Sequence, residues 1–114
     1  MSEAEGELRN SDEVIEEIIK YLSDEDELVR YHAAEALRRI GAKATGFLVK
    51  QLDNKNTLVR YHTAELLGKI GDSTSVSCLI QALEKERSKD VVCSIAKSLE
   101  RLGLENGKLI MQEA

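Results

Sequence analysis

Apolar residues along this chain recur at helical spacing, in short stretches alternating with longer ones. In EVIEEIIKYL, Val14, Ile15, Ile18, Ile19 and Leu22 keep to one helical face and leave the acids to the other. Leu48, Val49 and Leu52 occupy the same places thirty residues on, and Val76, Leu79, Ile80 and Leu83 repeat the pattern once more. The longer stretches between them are amphipathic in a second way. On a wheel at about 100° per residue, Val29, Ala33, Ala36, Leu37 and Ile40 form a stripe, while Leu28, Tyr31, His32, Glu35, Arg38 and Arg39 gather opposite. The short stretches are read as outer helices and the longer ones as inner helices, each inner helix having a core side and a presented side.

These stretches are copies of one unit. LVRYHAAEALRRIG at 28–41 returns as LVRYHTAELLGKIG at 58–71 with ten of fourteen positions identical, and DVVCSIAKSLERLG at 90–103 is a worn third copy. A unit of about thirty residues that cannot bury its apolar face alone must stack on its neighbours. The expectation is an all-α solenoid of three helix pairs at 12–41, 42–71 and 72–103. An acidic tail at 1–11, without apolar periodicity, precedes it. Residues 104–114, in which Leu109, Ile110 and Met111 restart an outer-helix pattern, read as a C-terminal cap. Leu37, Ile40, Leu67, Ile70, Leu79 and Leu99 fall on the apolar stripe and are the expected core.

Punctuation agrees with this division. Proline is absent, so glycines and caps must end the helices. Ser11 or Asp12 is the expected first cap, Asp24 with Glu27 a capping box, Asn54 or Asn56 the next cap and Asp72 or Ser73 the last. Gly41 stands where a left-handed residue ends an inner helix. Gly46 weakens the second outer helix, which should be the shortest or the most frayed. The third copy is longer, and an extra residue within 84–89 predicts a longer turn there.

Composition narrows the class. The chain has 114 residues, 42% apolar and 32% charged, as expected of one soluble domain. No apolar run has the length of a membrane span and the N-terminus is acidic, so a cytoplasmic protein with no membrane partner is expected. Cys78 and Cys93 read as reduced thiols in helical patterns. The net charge of −5 is divided unevenly, since residues 1–27 carry eleven acids and two bases and residues 28–114 carry ten acids and fourteen bases.

The frame VR..AAEAL..IG after an acidic turn, followed by a helix of the form V..LI..L, resembles the short HEAT repeats of the phycobilin-lyase type. In HEAT repeats generally an Asp in the turn and an Arg six residues later form a ladder, and Asp24 with Arg30 and Asn54 with Arg60 keep that spacing; Val92 breaks it in the third copy. Some relatives of this repeat type are bilin lyases or act on phycobiliproteins, so the resemblance also implies a possible lyase-type accessory role. The segment is similar as well to deoxyhypusine hydroxylase, a di-iron HEAT protein whose inner helices read VRHEAAEAL. Here Tyr31 and His32, and again Tyr61 and His62, replace that His-Glu pair. His32 with Glu35 and His62 with Glu65 remain three apart, but packed helices stand about 8–10 Å from each other, too far for the two pairs to share one metal directly. No nucleophile and base pair, phosphate-cradling loop or Cys-x-x-Cys occurs. No catalytic, cofactor or metal site is expected.

Stacking the copies aligns Tyr31, Tyr61 and Cys93; His32, His62 and Ser94; Glu35, Glu65 and Lys97; Arg39, Lys69 and Arg101. Inner helices of such superhelices line the concave surface, where binding usually occurs. A monomeric, non-enzymatic adaptor is therefore expected, docking a protein on Tyr31, His32, Glu35, Arg39, Tyr61, His62, Glu65 and Lys69. Nucleic acid is the less favoured partner: Arg38, Arg39, Lys43, Lys69 and Arg101 are available for phosphates, but Glu35 and Glu65 lie one turn away.

Overall fold

The computed structural model describes residues 10–105, and among them every regular element is a helix. Three pairs follow one another: α1 (Ser11–Lys20) with α2 (Glu27–Ile40), α3 (Thr45–Lys50) with α4 (Thr57–Ile70), and α5 (Val76–Lys85) with α6 (Lys89–Glu105). Short 3-10 turns extend α1 and α3 at their C-termini and precede α3 and α5. The fold is the expected all-α solenoid. Residues 1–9 of the tail and 106–114 of the cap lie outside the described residues.

One continuous core runs through the pairs. Ile15, Leu22, Leu37, Leu48, Leu67, Leu79, Ile95 and Leu102 are fully buried, and each such side chain contributes about 1.5–3 kcal/mol relative to exposure. Leu37, Leu67 and Leu79 thus stand at its centre, while Ile40, Ile70 and Leu99 pack half-buried at its margin. Cys93, by contrast, is exposed, and Cys78 is half-buried.

Helix ends differ in detail from expectation. Asn10, not Ser11 or Asp12, caps α1, its side chain accepting from the Asp12 N–H at 2.7 Å. No Asp24–Glu27 box forms. Asp24 Oδ1 accepts from the Asp26 N–H at 2.8 Å, and Asp26 Oδ1 from the Leu28 N–H at 2.9 Å, so Asp26 is the cap of α2. Asn54 and Asn56 repeat this relay before α4. The same residue type at i and i+2 suits both steps, because each side chain reaches an amide two residues on.

Gly41 and Gly71 end α2 and α4 with φ of 76° and 81°, where glycine escapes the steric cost of Cβ. The third copy has no such stop, and α6 continues through Gly103 to Glu105. Of these six helices α3 is the shortest, with six residues. The extra residue of the third copy does not lengthen the turn: residues 86–88 are as few as 24–26 and 54–56, and α5 instead runs on as regular helix to Lys85.

The arginine ladder takes another form than expected. Arg30 Nη1 donates to the backbone carbonyls of Asp24 (2.6 Å) and Glu25 (3.1 Å), and Arg60 Nη1 to those of Asn54 (2.8 Å) and Lys55 (3.2 Å). Neither bonds the side chain of residue 24 or 54. Arg60 goes further and grips Glu86, in the next repeat's turn, through Nε at 2.9 Å and Nη2 at 3.0 Å. The side-chain partner of Arg60 therefore lies one repeat on.

The closest helix packing joins α4 to α6. Ser94 Oγ donates to the Tyr61 carbonyl at 3.0 Å and Ser98 Oγ to the Ala64 carbonyl, while Gly68 faces Ser98 so tightly that a Cβ there would lie 2.8 Å from the Ser98 Cα.

Candidate functional site

The presented faces of α2, α4 and α6 form two grooves rather than one flat stripe. The groove between α2 and α4, of about 180 Å³, is lined chiefly by Tyr31, Ala34, Glu35, Arg38, His62 and Leu66. That between α4 and α6, of about 360 Å³, is lined chiefly by Tyr61, Lys69, Cys93, Lys97, Ser98 and Arg101. Glu65 and Lys69 stand on the crest between them and border both. The rows are staggered, because each inner helix turns one flank to the repeat before it and the other to the repeat after.

Consequently the eight predicted residues do not share one environment. Tyr31 is 58% exposed, whereas Tyr61 is half-buried and packs against the core. Tyr31 faces the first groove together with His62, not Tyr61. His32 lies outside both grooves, on the flank of α2 that no described repeat covers. Arg39 also borders neither groove, and its side chain is 79% exposed. Each tyrosine meets the following histidine edge to face, with centroids at 5.3 Å in the first copy and 5.2 Å in the second.

Charge on the first groove is tied up locally. Glu35 accepts a two-pronged hydrogen bond from Arg38 at 2.9 and 3.1 Å and lies 3.9 Å from Arg39. The Arg38 hydrogen bond holds the Glu35 carboxyl below its ordinary value against a desolvation effect, with the charges of Arg38, Arg39 and Lys69 adding to it. Lys69 thus acts across from α4. Glu65 lies 3.6 Å from His62 Nδ1 and 3.9 Å from Lys69. On α6, Lys97 and Arg101, one turn apart, form no ion pair among the described residues, so the second groove is the more basic one.

Sequence reasoning placed Cys93, Ser94, Lys97 and Arg101 in the aligned rows but not in the site. It missed Ser98, whose role depends on how closely α6 crosses α4. Arg38 was placed on the presented face, and its spacing from Glu35 was the signal for their pairing. Among the described residues no three of His, Cys, Asp and Glu come together in a way that could hold a metal ion. No described helix is long and apolar enough to cross a membrane.

The family whose model matches this chain is described as HEAT repeats, over residues 3–49 and 45–110. No curated protein matches the chain. Among solved structures, it is similar to a crystal structure of epoxyqueuosine reductase with a tRNA-Tyr epoxyqueuosine-modified tRNA stem loop, at 30% identity and a TM-score of 0.59. The likeness covers 65% of this chain and 20% of that one, so the match spans about a fifth of the reductase.

Proposed function

This chain belongs to the HEAT-repeat family, and on that premise we propose that it is a non-enzymatic adaptor holding a protein partner along the grooved face of α2, α4 and α6. Within the family its repeats are of the short phycobilin-lyase type, on the evidence of their thirty-residue period and VR..AAEAL..IG frame. That is an assignment of repeat type and brings no lyase activity with it. The observation carrying the adaptor reading is Tyr31: a large amphipathic ring, 58% exposed, beside the Glu35–Arg38 pair at the mouth of a groove. Tyrosine and arginine are enriched at the energetic centres of interfaces.

Partner isolated on the immobilised chain and then titrated against the Tyr31→Ala variant should bind about 1–2 kcal/mol more weakly. The variant's melting temperature should be unchanged, because Tyr31 supports little of the core. Undiminished affinity would move the site away from α2. Tyr61 is less suited to this test, since its removal also disturbs packing.

Nucleic acid is the second reading. It is favoured by the tRNA stem loop bound to the structurally similar reductase and by Lys97 and Arg101, which form no ion pair among the described residues. Glu35 and Glu65 on the same surface oppose it. Titration of an RNA stem loop at rising salt separates the readings, since phosphate contacts weaken steeply as salt rises.

A further inference from the structure

Among the described residues, three of the six exposed large hydrophobics, Tyr21, Leu28 and Tyr31, belong to one stretch of the first repeat. Two of them border a shallow apolar surface that faces away from the rest of the solenoid, formed by Ile18, Tyr21, Leu28, Val29, Ala33 and Ala36, with His32 among them. Repeat equivalence shows what kind of surface this is. In the second copy the corresponding α4 positions are Val59, Thr63 and Leu66, all buried against the first repeat, at 4%, 0% and 3% exposure. In the third they are Val91, Ile95 and Ser98, buried in the same way against α4. The open flank of α2 thus has the composition of an inter-repeat junction, with no described repeat on it.

Its charge pattern selects an occupant. The N-terminal end of this flank adjoins the acidic turn Glu25, Asp26 and Glu27, its middle holds the small residues Ala33, itself only 7% exposed, and Ala36, and Arg39, 79% exposed, follows one turn beyond Ala36. Such a stripe is complementary to itself when reversed. If two copies of α2 cross antiparallel near Ala33, each acidic turn comes to the other's Arg39, Leu28 comes to the other's Ala36, and the paired helix dipoles oppose. Small residues at the crossing allow a close approach, as Gly68 and Ser98 do between α4 and α6. We infer that the open flank of α2 is an isologous interface, on which a second copy of this chain docks about a two-fold axis. His32 and Arg39, which border neither groove, sit in this contact or at its edge. Pairing sets the two grooved faces side by side, and it stands whatever partner those faces bind.

Sedimentation velocity of the full chain from about 5 to 500 μM tests this. A monomer–dimer equilibrium is expected, weakened at least about tenfold by Leu28→Glu, an exposed first-turn position at which circular dichroism should report an unchanged helix content. Arg39→Glu and Glu25→Lys should each weaken association, and the two together should restore it. If Leu28→Glu lowers the melting temperature, the charge-reversal pair decides alone. A monomer throughout the range, a dimer indifferent to these substitutions, or a double reversal without recovery overturns the inference. So do nuclear Overhauser contacts from Leu28 to residues 1–9 in a concentration-independent monomer, which would give the flank to the chain's own N-terminal segment.

Discussion

At their closest approach the second and third repeats meet on small side chains, with Val91 and Ile95 buried beside them, whereas the first and second stand further apart across larger ones. Between α4 and α6, Gly68 and Ala64 face Ser94 and Ser98, the backbones draw together, and serine hydroxyls donate to carbonyls of the facing helix. Between α2 and α4, the facing positions hold Ala34 and Arg38 against His62 and Leu66, and contact is less extensive. The turns differ in parallel. Arg60 finds a buried carboxylate in Glu86, while Arg30 has only neutral Asn54 at the equivalent place and its Nε is buried without a partner. Two nearly identical inner helices therefore make unequal junctions, because what each meets on the next repeat has diverged. Both junctions carry a groove: the tighter one the larger, of about 360 Å³, and the looser one the smaller, in which Tyr31, Glu35 and His62 are presented.

The most damaging way to break this contrast is Gly68→Ala. The added methyl would meet the Ser98 backbone, so α4 and α6 must separate and two inter-helix hydrogen bonds are strained, at a cost of about 3 kcal/mol. The equivalent position in α2 is Arg38, whose replacement by alanine removes one solvent-screened i,i+3 pair and should leave the midpoint nearly unchanged. Denaturant midpoints of the two variants provide the check. Similar losses would mean that the two junctions are packed alike.

Comparable in size is the Arg60–Glu86 pair, with side chains 19% and 5% exposed. Glu86→Ala leaves Arg60 with a desolvated charge and should cost about 3 kcal/mol. Acid should do the same gradually. The Arg60 hydrogen bonds hold the Glu86 carboxyl below its ordinary value, with the Ser88 and Arg87 amides assisting and burial opposing. A carboxylate whose folded pKa is depressed stabilises fully above its unfolded value of about 4.3, and that contribution is lost as pH falls through the folded value. Asp72, lowered by hydrogen bonds from the Thr74 hydroxyl and amide, adds to the same limb. Thermal melts of Glu86→Gln should show a shallower decline below about pH 4.3 than the parent. Parallel acid limbs would deny the pair its role.

Much of this architecture is legible in the sequence, for a physical reason. Periodicity reports which face of a helix is dry, so Leu37, Leu67 and Leu79 were readable as core and Gly46 as the mark of a short helix. Stops at Gly41 and Gly71 follow from sterics that act locally. The missed features depend on partners distant along the chain. Glu86 lies 26 residues from Arg60, and the worn third copy, with Val92 in place of arginine, gave no reason to look for a rung there. Tyr31 and Tyr61 read alike because their neighbours in sequence are alike, but α6 lies against only the second of them. Capping by Asp26 rather than Asp24 was ambiguous because both residue types suit both steps of one relay.

The sharpest test of the comparison comes from supplying the weaker junction with what it lacks. Asn54 and Glu86 are equivalent residues: each opens its turn, and each accepts from the amide two residues on, Asn56 at 2.8 Å and Ser88 at 3.0 Å. Glutamate at position 54 can keep that bond, as Glu86 does, and offer its second oxygen to Arg30 Nε. The substitution forfeits the 3.0 Å bond from Asn54 Nδ2 to Gln51, a side chain with room to turn toward solvent. Against this it pairs a buried donor and places a carboxylate beside a guanidinium held in position by two carbonyls. Asn54→Glu should therefore raise stability by about 1 kcal/mol, or roughly 4–8 °C in melting temperature. In an Arg30→Met background the same change should yield nothing, since no donor remains to be satisfied. A gain that survives without Arg30 would trace to general charge balance near Lys55, and the absence of any gain would show that the two turns are not interchangeable.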